Sequence, residues 1–85
     1  MGFGYSYETI EIDSYEYLPT PKQPGKPNTC YKLYRNGKLH RERYTDEKGK
    51  PKKDVDWEGN DDHDLGFPHD HYWEGSYRGD AVSHT

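Results

Sequence analysis

The sequence is short of almost everything a large core needs. Hydrophobic residues make up 28% of its 85 residues, against 33% charged. That balance borders on the compositions of chains that bury too little apolar surface to fold. A chain of this length hides only about 60–65% of the surface its unfolded form exposes, so one small domain is the ceiling. The single cysteine, Cys30, excludes an internal disulfide framework and leaves the compartment open on redox grounds. No apolar run approaches the roughly 18 residues of a spanning helix. The first residues lack a basic segment followed by an apolar one, so no signal peptide is expected. A cytoplasmic protein that makes no use of the membrane is the default. There is no P-loop, no dinucleotide fingerprint and no GxSxG elbow.

What is present pulls the chain back towards a fold. Aromatic residues are 15%, nine of them Tyr, and each ring buries a large area. Charge is strongly segregated. Residues 1–20 carry net −4, residues 21–53 carry +8 and residues 54–85 carry −8, within a total of −4. The whole molecule is therefore not a polyanion binder by net charge, although its middle third has the charge for one. The plain alternative is compensation, in which basic strands neutralise the acidic segment beside them.

Residues 3–17 alternate, with Phe3, Tyr5 and Tyr7 on one parity and Ile10 and Ile12 on the other. This predicts one or two N-terminal strands within residues 1–20, with a bulge near Glu8. Residues 18–29 hold four of the six prolines and read as an extended Pro-rich linker. Asn36-Gly37 between alternating runs is a strong hairpin signal, because a type I′ turn needs positive φ twice. A two-residue loop pairs Arg35 with Lys38, Tyr34 with Leu39 and Leu33 with His40. One face then carries Lys32, Tyr34, Leu39, Arg41 and Arg43, and the other Tyr31, Leu33, His40 and Tyr44. Residues 46–49 (DEKG) suit a second turn with Gly49 in the left-handed region. A third strand follows and places Asp54 and Asp56 on one side, Val55 and Trp57 on the other. Residues 58–68 read as a loop anchored by Leu65 and Phe67. Residues 69–73 read as a short strand whose His69 and His71 point the same way. The fold class is mainly β: a small antiparallel meander of three to five strands, with a core over residues 30–73 and a loose tail over residues 74–85.

Chemistry concentrates in residues 54–73, which hold six Asp and three His. Imidazole and carboxylate together suit Zn, Mn, Fe or Ni, with Asp54, Asp56, His69 and His71 as candidate ligands. The spacing is not that of a zinc finger, and it lacks the regular acidic spacing of a calcium-binding EF-hand loop. A second chemistry needs no metal. A His pair drawn from His63, His69 and His71 can serve as base and acid in RNA cleavage, with Asp54 or Asp56 orienting an imidazole. Arg41, Arg43 and Lys53 are candidates to hold phosphate. The plain alternative is a solvated acidic loop with incidental histidines. His40 is read as a residue of the pleated surface and His84 as tail.

Several motifs fall in an order that resembles a known family. These are Gly25, Pro27 and Asn28; Asn36-Gly37; Lys48-Gly49-Lys50; Asp54-Val55-Asp56; His63; and Pro68-His69-Asp70-His71. The pattern over residues 25–73 resembles a bacterial domain found at the C-termini of polymorphic toxins and phage minor capsid proteins. That domain also occurs as small stand-alone proteins of phages and mobile elements. The His-Gly-Asn that follows D-I-D in the family is absent, and Gly59-Asn60 precede His63 instead. The resemblance implies a nuclease-type toxin, with an immunity or host protein as partner and secretion within a toxin system. A non-enzymatic metal-binding or protein-interaction module remains the alternative.

Overall fold

A computed structural model describes residues 7–58 and 67–84. They form one six-stranded sheet in the order β1-β2-β3-β4-β5-β6. The strands are β1 (Glu8–Ile12), β2 (Thr29–Arg35), β3 (Lys38–Thr45), β4 (Pro51–Asp56), β5 (His69–Glu74) and β6 (Tyr77–Ser83). From β2 to β6 every neighbouring pair is antiparallel, while β1 pairs with β2 in parallel. The mainly β expectation holds: β2 to β6 make a five-stranded antiparallel meander, and the parallel β1 adds a sixth strand.

The Asn36-Gly37 hairpin forms as expected, with φ of 53° and 77°. Arg35 pairs with Lys38 and Tyr34 with Leu39, but Leu33 then faces Arg41, because the register shifts there. His40 is the extra residue of a β-bulge. A one-residue insertion inverts the parity of everything after it. Arg41 and Arg43 therefore share a face with Leu33 and Tyr31, while Glu42 and Tyr44 share the other with Lys32 and Cys30. The expected face assignment beyond His40 is corrected accordingly.

Residues 74–85 are not a loose tail. Gly75, at φ 58°, turns the chain into β6, which pairs along β5. Sequence patterning misses β6 because Arg78 and Gly79, not apolar residues, stand where a core strand would alternate. The N-terminal strand is present as β1; Phe3 and Tyr5 lie outside the described residues, as do Leu65 and His63.

Parallel pairing of β1 and β2 demands a crossover, commonly a helix. Here residues 13–28 make it with a short 3-10 turn, Tyr15–Tyr17, capped by Ser14. The Pro-rich stretch is more than a spacer. Leu18 packs with Tyr31 and Leu33, and Ile10 and Ile12 close the cluster. The Thr45 hydroxyl donates to the Lys26 carbonyl (2.7 Å) and accepts from the Thr29 amide (2.9 Å). The Gly25 amide donates to the Gly49 carbonyl at 2.9 Å. Gly49 has φ 82°, and a Cβ there would run into the Gly25 carbonyl oxygen.

The apolar cluster occupies only the β1–β2 end of this front face. Further along, the buried side chains are Arg43, Asp54, Asp56, His69 and His71. On the back face Glu42 accepts from Trp57 Nε1 at 2.6 Å and meets Lys32 at 3.4 Å. Burial first, then the Glu42 charge, pushes the Cys30 thiol up to about 11.

Candidate functional site

Register builds the site. Two rows run across the front face: Arg41, Asp56 and His69, and beside them Arg43, Asp54 and His71. Directly opposed residues on neighbouring strands have Cβ atoms about 5 Å apart, so side chains of opposite charge meet without reaching. Arg43 grips Asp54 through two bonds, Nε to Oδ1 at 2.8 Å and Nη2 to Oδ2 at 2.9 Å. Its third donor, Nη1, goes to the Pro19 carbonyl at 2.9 Å. Arg41 holds Asp56 in the same forked manner, at 2.6 and 3.3 Å. Arg78, reaching in from β6, ties the rows together. Its Nε donates to Asp54 Oδ2 at 2.7 Å and its Nη2 to Asp56 Oδ2 at 3.1 Å.

Two imidazoles complete the group. His71 Nδ1 lies 2.7 Å from the Gly79 carbonyl, so that nitrogen carries the proton in the neutral ring and Nε2 presents its lone pair. His71 Nε2 and His69 Nε2 approach Asp56 Oδ2 at 3.4 and 3.5 Å. The two rings sit 5.2 Å apart, and Phe67 stacks on His69 at 4.6 Å. Burial pushes the Asp56 carboxyl up, but the hydrogen bonds and charges of Arg41 and then Arg78 outweigh it and hold its pKa below the ordinary value. Burial, and behind it the Arg78 charge, keeps the His71 pKa below that of a free imidazole, against the opposing pull of Gly79 and Asp56. His71 is thus a neutral base at pH 7.

The group opens into a cleft of about 540 Å³. His69 and His71 on β5 line one side, and Asp56 on β4 lies between them and His40 on β3. Tyr15, Arg35, Arg41 and Arg78 line it as well. Guanidinium groups outnumber carboxylates there, and the lining is polar. Arg41 and Arg78 there are paired with Asp56 and Asp54.

Of the residues expected to carry chemistry, Asp56, His69, His71 and Arg41 come together on the cleft. Asp54 stands behind them, fully buried, with both oxygens committed to arginines. Arg43 is buried on Asp54 and Pro19 and has no place in the cleft lining, and its guanidinium lies over the Trp73 ring. Lys53 sits on the back face, 3.7 Å from Asp70 and over the Tyr72 ring. Arg78, His40 and Tyr15 escaped the sequence reading. Arg78 left one signal: it is the single base among the nine acids of residues 54–85.

Asp56, His69 and His71 each offer one ligand atom, and these atoms lie within 4.8 Å of one another. Donors about 2.1 Å from a tetrahedral ion are roughly 3.4 Å from each other, which is the spacing of Asp56 Oδ2 to either imidazole. The donor set fits Zn or Mn. Asp54 is outside this group.

No family model, no curated protein and no solved structure matches this chain.

Proposed function

We propose that the chain is a small nuclease that cleaves RNA, in the manner of a toxin-type domain. One observation carries the reading. An imidazole whose Nδ1 is fixed on a backbone carbonyl turns its basic Nε2 into a cleft lined by Arg41 and Arg78. A phosphodiester needs those two things: cations for the phosphate and a base for the attacking hydroxyl. In RNA the attacking group is the neighbouring 2′-hydroxyl, so no outside nucleophile is required. His69 and Asp56 hold His71 in place, and Asp54 keeps Arg78 aimed. The order of motifs over residues 25–73 adds the toxin setting, with an immunity or host protein as partner and a phage or mobile element as source. Among the described residues no helix is long and apolar enough to cross a membrane.

A second reading has its own observation in Asp56 Oδ2, which lies 3.5 and 3.4 Å from the His69 and His71 imidazoles. It makes the chain a non-enzymatic module in which Zn or Mn is held for structure. One experiment separates the two. The protein and its His69→Ala/His71→Ala variant are incubated with a single-stranded RNA oligonucleotide, with Zn²⁺, with Mn²⁺ and with chelator. Loss of at least about 100-fold in cleavage by the variant is expected. Undiminished cleavage by the variant sinks the nuclease. If no RNA is cut but Zn²⁺ raises the melting temperature of the wild type alone, the structural-metal reading stands.

A further inference from the structure

We infer that Tyr15 and His40 form the proton-donating half of the cleft: the Tyr15 hydroxyl protonates the leaving 5′-oxygen of RNA, and His40 resupplies that proton. This deepens the ribonuclease reading and rests on it.

Three observations lead here. First, His40 is the bulge residue of β3. Bulges re-aim a side chain at the expense of ladder bonds, and the freed His40 carbonyl instead accepts the Trp57 amide at 2.9 Å. Second, the Tyr15 hydroxyl lies 2.6 Å from His40 Nε2. The Glu58 carboxylate lies 3.9 Å from Nδ1 on the other side of the ring. Hydroxyl and imidazole are thus within proton-transfer reach, with the Glu58 charge beyond the far side of the ring. Third, the pair faces the same cleft as His71, from the β3 side where His71 stands on the β5 side. Tyr15 is 44% exposed at the rim, flanked by the Arg35 and Arg41 guanidinium groups at 5.4 and 5.6 Å from its ring.

The step balances within the cleft. His71 Nε2 takes the proton of the 2′-hydroxyl as the 2′-oxygen bonds to phosphorus. The bond from phosphorus to the 5′-oxygen breaks, its electron pair goes to that oxygen, and the Tyr15 hydroxyl supplies a proton. The imidazolium of His40 returns one to Tyr15. A 2′,3′-cyclic phosphate and a 5′-hydroxyl result, with no co-reactant. The groups facing His40 set its charge. Burial, then Arg41 and Arg35, hold its pKa below the ordinary imidazole value against Glu58 and Asp56, so the imidazolium has to come with the substrate. A phosphate lying against Arg35 and Arg41 cancels the two opposing cations and favours the imidazolium.

Tyr15→Phe and His40→Gln test the assignment, with fold checked by ¹H–¹⁵N spectra. Two substrates are compared: an RNA dinucleotide, and a uridine 3′-phosphate ester of p-nitrophenol, whose leaving group needs no proton. Each variant is expected to lose about 100-fold or more on RNA and to keep near-normal turnover of the aryl ester. Equal losses on both substrates, or no loss on RNA, overturn the assignment while leaving the ribonuclease reading intact. A wild-type protein that cleaves neither substrate overturns both.

Discussion

At the scale of single residues, the front face is held by charge where most domains use hydrocarbon. Asp54 is fully buried, yet it accepts from Arg43 and Arg78, so its burial leaves no oxygen unpaired. Removing one partner of such a group costs far more than the group contributes when whole. The pH response follows from three depressed pKa values, those of His71, His40 and Asp56. The ordinary imidazole value is 6.5, and His71 in the folded protein lies below it. The unfolded chain therefore binds the proton first. Stability present above pH 6.5 is lost as pH falls through the folded value. Asp56, depressed from 3.8, acts in the same direction at lower pH. With chelator present, denaturant midpoints should start to fall below pH 6.5, and His71→Gln should shrink that fall to the share His40 contributes. A midpoint flat from pH 7 to 5 in the wild type contradicts the assignment of a neutral, buried His71. Asp56, His69, His71 and Arg41 were legible from residue type and spacing. Arg78 and His40 were not, because a lone Arg in a polar stretch and a lone His in a strand look alike whether they face solvent or a cleft.

At the scale of elements, turns were the most legible part of the chain and registers the least. Asn36-Gly37 and Gly49 announce themselves because positive φ admits few residue types. The two turns nevertheless carry different loads. Gly37 has open space where a Cβ would go, whereas Gly49 abuts the Gly25 carbonyl oxygen. Gly37→Ala should cost about 1–2 kcal/mol, the left-handed penalty alone. Gly49→Ala should cost at least about 2 kcal/mol more, since the crossover must move. Chemical denaturation of the pair checks this, and equal costs would show that the crossover is not pinned at this point. β6 was hidden for a related reason. Its positions opposite His71 and Trp73 are filled by Ala81 and Arg78, and the arginine becomes a strand position only once Asp54 and Asp56 exist to receive it. The bulge at His40 has no marker in the sequence at all, and it decides which face holds Arg41 and Arg43.

At the scale of the whole molecule, the segregation of charge along the chain reappears as compensation in space. The basic β3 lies against β4, and the pairs Arg41–Asp56 and Arg43–Asp54 join them. This is the plain alternative of the sequence reading, and it holds for most of the middle-third charge on the front face. What faces the cleft for a polyanion is small: Arg35, with Arg41 and Arg78 already sharing Asp56 and Asp54, on a molecule of net charge −4. RNA association should therefore weaken with salt only modestly. Three phosphate contacts on a single strand give a slope of log K against log[salt] near about −2. A slope steeper than about −5 would require a basic surface other than this cleft. Long-range repulsion by the acidic remainder also favours short single strands over duplexes.

The bulge in β3 carries a final implication for chain length. Struck from the sequence, His40 would leave Leu39 joined to Arg41, with Tyr34 still opposite the first and Leu33 opposite the second. The ladder would close without a gap, and every later residue would keep its face. His40 is thus supernumerary to the β2–β3 ladder, although its carbonyl holds the Trp57 amide on the β4 side. A chain one residue shorter would specify the same architecture, so that what this position adds is separable from folding by deletion as cleanly as by substitution.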